Sequence, residues 1–239
     1  MSPEKLVVRR PGAARSAVRP IIARRGPGPG WRAVARCHNR LVTAETESRR
    51  PWAFAIFLIV AGALGWWAAF ALTIDKILVL ENPEADLDCN FSLLVQCGVN
   101  LQSWQGEVFG FPNPLLGLGG FVAPIAVGVG LLAGARFARW FWVAFNIGLL
   151  GALAFVIWLI SQSVFVLGTL CPWCMLVWTV TIPLFWSVTF RNLAEGVFGG
   201  GSAQRFGAAA RSWLIPVTVI SYAIVAFVAQ LGLDWISYL

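Results

Sequence analysis

Residues 171–190 read CPWCMLVWTVTIPLFWSVTF, and Arg191 follows them directly. The stretch carries no charged side chain. A helix of this length, rising 1.5 Å per residue, is about 30 Å long, which is the thickness of the hydrocarbon core of a bilayer. We therefore predict a membrane-spanning helix. Its first turn holds Cys171 and Cys174 in a C-x-x-C spacing, so both thiols lie at one boundary of the membrane.

Four more stretches are apolar over enough residues to cross a membrane, namely 51–72, 114–133, 140–160 and 213–231. The composition agrees, because 58% of the 239 residues are hydrophobic and 12% are charged, against roughly 45–50% and 25% in soluble domains. A soluble enzyme and a disordered or fibrous chain are thereby excluded. The stretch 51–72 also resembles a secretion signal, but its apolar core is too long for one, so we expect it to remain as the first helix.

The net charge of +7 is concentrated at the N-terminus. Residues 1–50 contain 12 of the 18 basic residues and are rich in proline and glycine. This composition predicts a disordered basic tail. Such a tail can bind nucleic acid or anionic lipid, but the positive-inside rule offers a simpler interpretation. The tail marks the cytoplasmic side, membrane lipid is its neighbour, and no nucleic-acid partner is expected.

The segments between the spans support a single orientation. Residues 134–139 and 191–212 are basic on balance, whereas the loop 73–113 is acidic. If the tail is cytoplasmic, both basic links are cytoplasmic as well. The loop 73–113, a short turn at 161–163 and the C-terminus are then extracytoplasmic.

Four of the five cysteines fall on the outer side, where disulfides persist: Cys89, Cys97, Cys171 and Cys174. Cys37 lies in the tail beside His38, the only histidine, and one thiol with one imidazole is too few ligands for a metal site. Cys37 is therefore assigned no role, and no metal is expected.

The four outer cysteines allow three interpretations. They form structural staples in a non-catalytic transporter or scaffold, they form a four-cysteine zinc site, or they are redox-active. A bridge within C-x-x-C closes a very short loop and contributes little stability, whereas a helix N-terminus favours a thiolate. The spans also hold almost no charge that would mark an ion path. The pattern favours a relay of two dithiols, between a soluble partner and a lipid-soluble carrier such as a quinone.

A periodic pattern within the loop predicts a short amphipathic helix, because apolar residues recur every three or four positions: Leu94, Cys97, Leu101, Trp104 and Val108. Asn90 or Ser92 is the expected cap. Cys97 then faces inward near Cys171, while Cys89 stays on a mobile segment. In the spans, small residues such as Gly128, Gly148 and Gly151 predict close helix packing.

Together, these motifs resemble the vitamin K epoxide reductase family, specifically its bacterial members. The shared pattern has two loop cysteines eight apart, a serine six residues later, and a C-x-x-C that opens the last helix of a four-helix bundle. Here these are Cys89, Cys97, Ser103 and 171–174. The resemblance covers about residues 52–190 and implies an all-α integral membrane fold. It divides the chain into the tail 1–50, a catalytic bundle 51–190 containing the loop 73–113, and a link with a fifth helix, 191–239.

The resemblance implies a thiol:quinone oxidoreductase of the bacterial inner membrane that supports disulfide formation. A reduced DsbA-like thioredoxin-fold protein would attack Cys89, Cys97 would exchange with Cys171, and Cys174 would face the quinone. A naphthoquinone such as menaquinone is the expected acceptor. The thioredoxin-like domain fused to many bacterial members is not expected here, so the partner is a separate protein. Reduction of an epoxide, as in the animal enzymes, stays open, and a DsbB-type enzyme is disfavoured because the C-x-x-C lies late in the chain.

Three further residues are candidates for the quinone site, each with an ordinary alternative. By resemblance Asn113 hydrogen-bonds a quinone carbonyl, Trp178 lies against the ring, and Ser103 supports the loop. Without a quinone, Asn113 before Pro114 suits a helix cap, Trp178 suits core packing, and Ser103 suits a solvated hydroxyl.

Overall fold

The computed structural model describes residues 52–92 and 94–234. The basic tail, with Cys37 and His38, lies outside the described residues. In the described part the regular structure is helical, apart from one parallel bridge between Val95 and Leu170. The helices, in chain order, are α1 (Trp52–Glu81), α2 (Gly98–Gln102), α3 (Pro114–Gly120), α4 (Val122–Leu132), α5 (Arg139–Gln162), α6 (Pro172–Ala194), α7 (Ser202–Ala210) and α8 (Leu214–Leu233).

Five segments of the described chain are long and apolar enough to cross a membrane, as the sequence predicts. They are α1, α3 with α4, α5 with the π turn Ser163–Leu167 that extends it, α6, and α7 with α8. The predicted fold class, an all-helical membrane protein with five spans, is confirmed.

Helix α1 continues to Glu81, well beyond the predicted end of the first span at residue 72. Apolar residues such as Ile77 and Leu78 sustain the helix, and its end precedes Pro83, where a helix normally stops. Asp75 and Lys76 therefore lie on the outer turns of α1 rather than in a loop. This extension carries both charges to the level of the cysteine loop.

Helix α1 is the centre of the packing, against α4 on one side and α6 on the other. The shared core consists of small and branched apolar side chains: Ala55, Leu58, Ala61, Val127, Leu184 and Val188. Glycine permits the close approach of α1 and α4, because a Cβ added at Gly128 would lie 2.7 Å from the Ala55 carbonyl oxygen and 2.7 Å from Ile59 Cγ1. The predicted close packing at Gly128 is confirmed.

The same prediction is wrong for Gly148 and Gly151 on α5. A Cβ added at either glycine would meet no atom within 4 Å, and both residues are exposed on the wall of a cavity. These glycines hold space open instead of drawing two helices together.

The expected turn at 161–163 is also displaced along the chain. Nothing in those residues breaks a helix, so α5 passes into the π turn Ser163–Leu167. The chain reverses at Gly168, whose φ of 68° lies in the left-handed region that glycine adopts without strain. The reversal brings Thr169 and Leu170 beneath the cysteine loop.

The glycines provide a matched test of packing. We expect Gly128→Ala to destabilise the protein by about 1–3 kcal/mol, because the new methyl group overlaps α1. Gly148→Ala is expected to be neutral or slightly stabilising, because its methyl group enters open space and alanine favours the helix by up to about 1 kcal/mol. Thermal unfolding in detergent measures both, and equal midpoints for the two variants would contradict this account.

Candidate active site

A short backbone pairing attaches the cysteine loop to the start of α6. The Gln96 N–H donates to the Leu170 carbonyl at 3.0 Å, and the Leu170 N–H donates to the Leu94 carbonyl at 2.7 Å. Leu170 directly precedes Cys171, and Gln96 directly precedes Cys97. The pairing therefore brings Cys97 against Cys171, although the two are 74 residues apart in sequence.

Three sulfur atoms of the site lie in contact, in the order Cys89, Cys97 and Cys171. Cys89 and Cys97 form a disulfide of 2.05 Å, and the Cys171 thiol lies 3.3 Å from the Cys97 sulfur. Cys97 and Cys171 are both 0% exposed. Cys171 and Cys174 are free thiols. The loop pair is thus bridged, and the inner pair is not.

The loop around Cys97 is held by a side chain from upstream. The Asn90 Oδ1 atom accepts the N–H groups of Cys97 and Gly98 at 3.0 and 3.4 Å. Asn90 thus supplies the capping oxygen for α2 from outside the helix, while Ser92 instead accepts the Val95 N–H within its own turn. As predicted, Cys97 is turned inward, near Cys171.

Helix α2 is shorter than the predicted amphipathic helix. Ser103 adopts an extended conformation, with φ −77° and ψ 155°, and the chain resumes as the 3₁₀ turn Trp104–Glu107. The change of direction turns Trp104 outward, where it is 67% exposed, and Val108 is exposed as well. Leu101 is buried as expected, so the periodic pattern holds only as far as Gln102.

The mobility expected of the Cys89 segment stays a prediction, but Cys89 itself is buried. It is 4% exposed, because Cys89 and Leu87 pack against Leu72 and Val79 of α1. Its flanking residues Asp88 and Asn90 are exposed. The chain beside the sulfur is therefore accessible from outside, whereas the sulfur itself is covered.

The N-terminus of α6 favours the charged form of one thiol. Cys171 is the N-cap residue, and its sulfur accepts the Cys174 N–H at 3.5 Å. The pKa of Cys171 is lowered from its ordinary value, mainly by the hydrogen bond from the Cys174 thiol, while burial acts in the opposite direction. The backbone N–H groups of Cys174 and Trp173 lower this pKa further.

An ion pair holds the loop to α1. The buried Lys76 ammonium donates to the Leu101 carbonyl at 2.6 Å and lies 2.7 Å from the Glu107 carboxylate. Lys76 thereby binds both α2 and the 3₁₀ turn that follows it. A buried ammonium must be compensated in this way to remain charged.

A cavity of about 620 Å³ lies beside Cys174, lined by the cysteine loop and by helices α3 to α6. This volume is in the range of sites that bind small organic molecules, roughly 300–1,000 Å³. Most of its wall is apolar, with contributions from α3 to α6: Pro114, Leu116, Phe121, Phe145, Leu149, Phe155, Val177 and Trp178. Trp178 also packs on Val156 and Ile160, so it is a core residue and a cavity wall at once.

Polar side chains of the loop and of the end of α5 also line this cavity: Asn100, Ser103, Gln105, Asn113, Gln162 and Ser163. Asn113 donates to the Gln105 carbonyl at 2.6 Å and accepts the Val108 N–H at 3.2 Å. Asn113 occupies the N-cap position of α3, directly before Pro114, as predicted for a helix cap, but its side chain makes no capping bond to the helix. Ser103 donates to the Asn100 carbonyl at 2.8 Å, so its hydroxyl stabilises the loop.

Gln105 is a cavity residue that the sequence analysis missed. It is 3% exposed, and its Oε1 atom has no hydrogen-bond partner, while its Nε2 atom reaches the Gln162 Oε1 at 3.4 Å. The sequence does indicate that Gln105 is buried, because Gln105 follows the apolar Leu101 by four residues. The amide orientation is interchangeable, so this side chain can present either a donor or an acceptor to a ligand.

These observations define a helical membrane protein with two cysteine pairs in sulfur contact and an apolar cavity beside the inner pair. That arrangement is typical of membrane thiol oxidoreductases. In sequence comparison the Vitamin K epoxide reductase family matches residues 56–189. The match covers more than half of the chain, and the chain belongs to this family. No curated protein matched the chain, and no solved structure did.

Family membership gives the general activity. Proteins of this family are quinone-linked thiol oxidoreductases of membranes and act with thioredoxin-like proteins. The chain is accordingly a multi-pass membrane oxidoreductase.

The ionisation of Cys171 is testable directly. We expect Cys174→Ala to raise the pKa of Cys171, because the variant removes the main hydrogen bond that lowers it, so the thiolate forms only at higher pH. Cys174→Ser, which keeps a hydroxyl donor, is expected to retain most of the effect. The ¹³Cβ chemical shift of labelled Cys171, followed through a pH titration in a Cys37→Ser background, measures the midpoint. Identical midpoints for the alanine variant and the parent would refute the assigned cause.

Proposed function

We propose that this protein oxidises a DsbA-like thioredoxin-fold protein on the outer side of the bacterial inner membrane. Two electrons pass through Cys89 and Cys97 to Cys171 and Cys174, and then to a quinone. The net result is a disulfide in the partner. The observation that carries the proposal is the 3.3 Å contact between the Cys97 and Cys171 sulfurs, which joins the loop disulfide to the thiols beside the cavity.

The first exchange reduces the loop pair. A partner thiolate attacks the Cys89 sulfur, the Cys89–Cys97 bond breaks, and Cys97 leaves as a thiolate. The partner's second thiol then attacks the partner sulfur that is bonded to Cys89. This releases Cys89 and leaves a disulfide in the partner. Two electrons have moved from the partner to the loop pair.

The second exchange passes these electrons inward. The Cys97 thiolate attacks Cys171 of a Cys171–Cys174 disulfide, and Cys174 leaves as a thiolate. Cys89 then attacks Cys97 and releases Cys171, so the loop disulfide is restored and the inner pair is reduced. A bridged loop pair with two free inner thiols is the arrangement expected at this point, ready to deliver electrons to the cavity.

The cavity residues fit a naphthoquinone such as menaquinone. Such a ring needs an apolar slot with a few hydrogen-bonding groups, and when bound it supplies a two-electron, two-proton acceptor. Trp178 and Val177 provide flat and apolar surface next to Cys174, while Asn113, supported by the loop that Ser103 stabilises, provides a donor for a carbonyl oxygen. Gln105 provides a second polar contact.

We infer the orientation from two observations, the ends of the helices that meet and the charge of the segments at those ends. Arg139 at the start of α5 donates to the Val197 carbonyl just beyond α6, so these termini share one end of the bundle. The cysteines lie at the other end. With the basic end in the cytoplasm, the tail 1–50 is cytoplasmic, and the C-terminus after the fifth span is outside with the redox loop. The catalytic bundle spans 51–190, and the residues 191–239 add the link and the fifth helix.

The electron path predicts a specific cross-link. In a Cys37→Ser background, the double variant Cys89→Ala, Cys174→Ala leaves Cys97 and Cys171 as the remaining pair, and we expect them to form a disulfide on oxidation. Peptide mapping by mass spectrometry detects it. Each single alanine variant of the four cysteines is expected to lose quinone reduction with a reduced DsbA-like donor, while Cys37→Ser alone keeps it. Full activity of Cys174→Ala would refute the path.

The polar cavity wall predicts a binding effect. We expect Gln105→Leu to raise the KM for a short-tailed naphthoquinone roughly tenfold, since one hydrogen bond to a ligand contributes about 1–1.5 kcal/mol. Gln102→Leu, an exposed position of the same loop, is the matched control and is expected to leave KM unchanged. Steady-state quinone reduction followed by absorbance gives both values. An unchanged KM in Gln105→Leu would remove this residue from the site.

A further inference from the structure

The carboxyl group of Asp75 lies against the loop disulfide. Its Oδ2 atom is 3.4 Å from the Cys89 sulfur, and the Asp75 oxygen and the sulfurs of Cys89 and Cys97 all lie within 4.8 Å of one another. The neighbouring Lys76 does not neutralise this carboxyl, because its ammonium is bound to the Leu101 carbonyl and to Glu107. Asp75 is thus available to the sulfurs.

The redox state of the loop pair decides which atom can donate a hydrogen bond between the Asp75 carboxyl and the Cys89 sulfur. A disulfide sulfur carries no hydrogen, so the carboxyl and the Cys89 sulfur form a hydrogen bond only when one of them is protonated. In the oxidised loop only the carboxyl can carry this proton, and in the reduced loop the thiol can carry it as well. One proton can therefore pass between Oδ2 and Sγ as the loop pair cycles.

We propose that Asp75 is a catalytic residue that exchanges this proton with Cys89. The proposal rests on the proposed electron path. When the second partner thiol releases Cys89, the electron pair of the breaking S–S bond stays on Cys89, and the Asp75 carboxyl donates a proton to it. When Cys89 later attacks Cys97, the Asp75 carboxylate takes the proton back, the new S–S bond forms, and Cys171 leaves with the electron pair. Asp75 ends the cycle as it began.

Burial explains why such a group is needed. Cys89 is 4% exposed, so bulk water does not readily supply or remove a proton at its sulfur. Asp75 is half-buried, with one side open, and can exchange its proton with solvent between turnovers. A positioned acid–base group typically contributes a factor of about 10²–10⁴ to a proton-dependent step.

The other titratable groups around Asp75 come from each neighbouring segment. The loop contributes Cys89, Cys97 and the exposed Asp88, whose charge acts on Asp75. The start of α6 contributes Cys171, on which the charge of Asp75 acts in turn. On α1 itself, Lys76 is directed to Glu107. Of these, only Asp75 and the cysteines touch a reacting sulfur.

The test measures loop exchange without any quinone or protein partner. The full chain with Cys37→Ser, in lipid nanodiscs, is reduced by dithiothreitol, and the Cys89–Cys97 dithiol is trapped over time by acid quenching and alkylation. We expect Asp75→Asn to slow the reduction at least roughly tenfold at acidic pH. The ratio of the parent rate to the variant rate is expected to fall as pH rises, because the carboxyl ionises and can no longer donate. Taking the ratio cancels the ionisation of dithiothreitol.

Asp88→Asn is the matched control, since it removes an equal charge from the same region without a contact to a reacting sulfur. It is expected to keep the parent rate at acidic pH and the shape of the parent pH profile, whose midpoint moves because the charge of Asp88 acts on Asp75. Equal slowing in both variants, or an Asp75→Asn rate equal to the parent at every pH, would overturn the proposal. Asp75→Glu keeps a carboxyl and is expected to keep the shape of the pH profile. Loss of that shape in a folded Asp75→Glu variant would also overturn it, whether or not the Asp75→Asn variant folds.

A separate measurement distinguishes this proposal from the proposed function. Protein with a pre-reduced inner pair is mixed with a short-tailed naphthoquinone in a single turnover. Asp75→Asn is expected to match the parent, because the loop pair is not involved in this step. If the parent itself fails to reduce the quinone, the proposed function fails, while the loop-exchange rates still decide the role of Asp75.

Discussion

The site depends on two backbone hydrogen bonds that join the segment 94–96 to Leu170. Their register places Cys97 against Cys171, and a slip of one residue would turn the Cys97 side chain to the opposite face. So short a pairing cannot fix its own register. Neighbouring polar side chains do so, because Asn100 donates to Thr169 at 3.0 Å and accepts from Ser163 at 3.0 Å. The sulfur contact is therefore a consequence of hydrogen bonds made by residues that take no part in the chemistry.

The same packing that aligns the sulfurs also covers them. A buried disulfide reacts more slowly with small thiols and with unrelated proteins than an exposed one, and a partner reaches it only when the segment around Cys89 opens. Opening costs the contacts of Leu87 and Cys89 with α1, a small group of side chains compared with the bundle core. Local opening of such peripheral segments requires much less free energy than global unfolding. A partner that binds the exposed acidic residues beside Cys89 can offset that cost. This offset is a physical basis for selectivity of the site among thiol proteins.

The sequence allowed the five spans and the four cysteines to be predicted, because hydropathy and spacing are local signals. It did not separate glycines that pack helices from glycines that border a cavity. Gly128 and Gly148 have similar surroundings in sequence, and only the tertiary arrangement places Ala55 against one and empty space against the other. The continuation of α1 to Glu81 was missed since charged residues suggested a loop, although Lys76 is compensated by Glu107 from a distant segment. Gln105 was missed for a related reason, because a polar residue in a loop is usually solvated.

Electron transfer and proton transfer place opposite demands on this site. Sulfur exchange in a water-poor environment keeps the thiolate reactive and prevents competing reactions, but a buried charge is costly without compensation. At Cys171 the compensation comes from hydrogen-bond donors at the N-terminus of α6, which need no proton transfer. At Cys89 the polar side chain in contact with the sulfur is instead the carboxyl of Asp75. The buried charges on Cys171 and on Cys89 are therefore compensated in different ways. The inner sulfur is stabilised as an anion beside the lipid phase, and the outer sulfur has a group with which it can share a proton next to water.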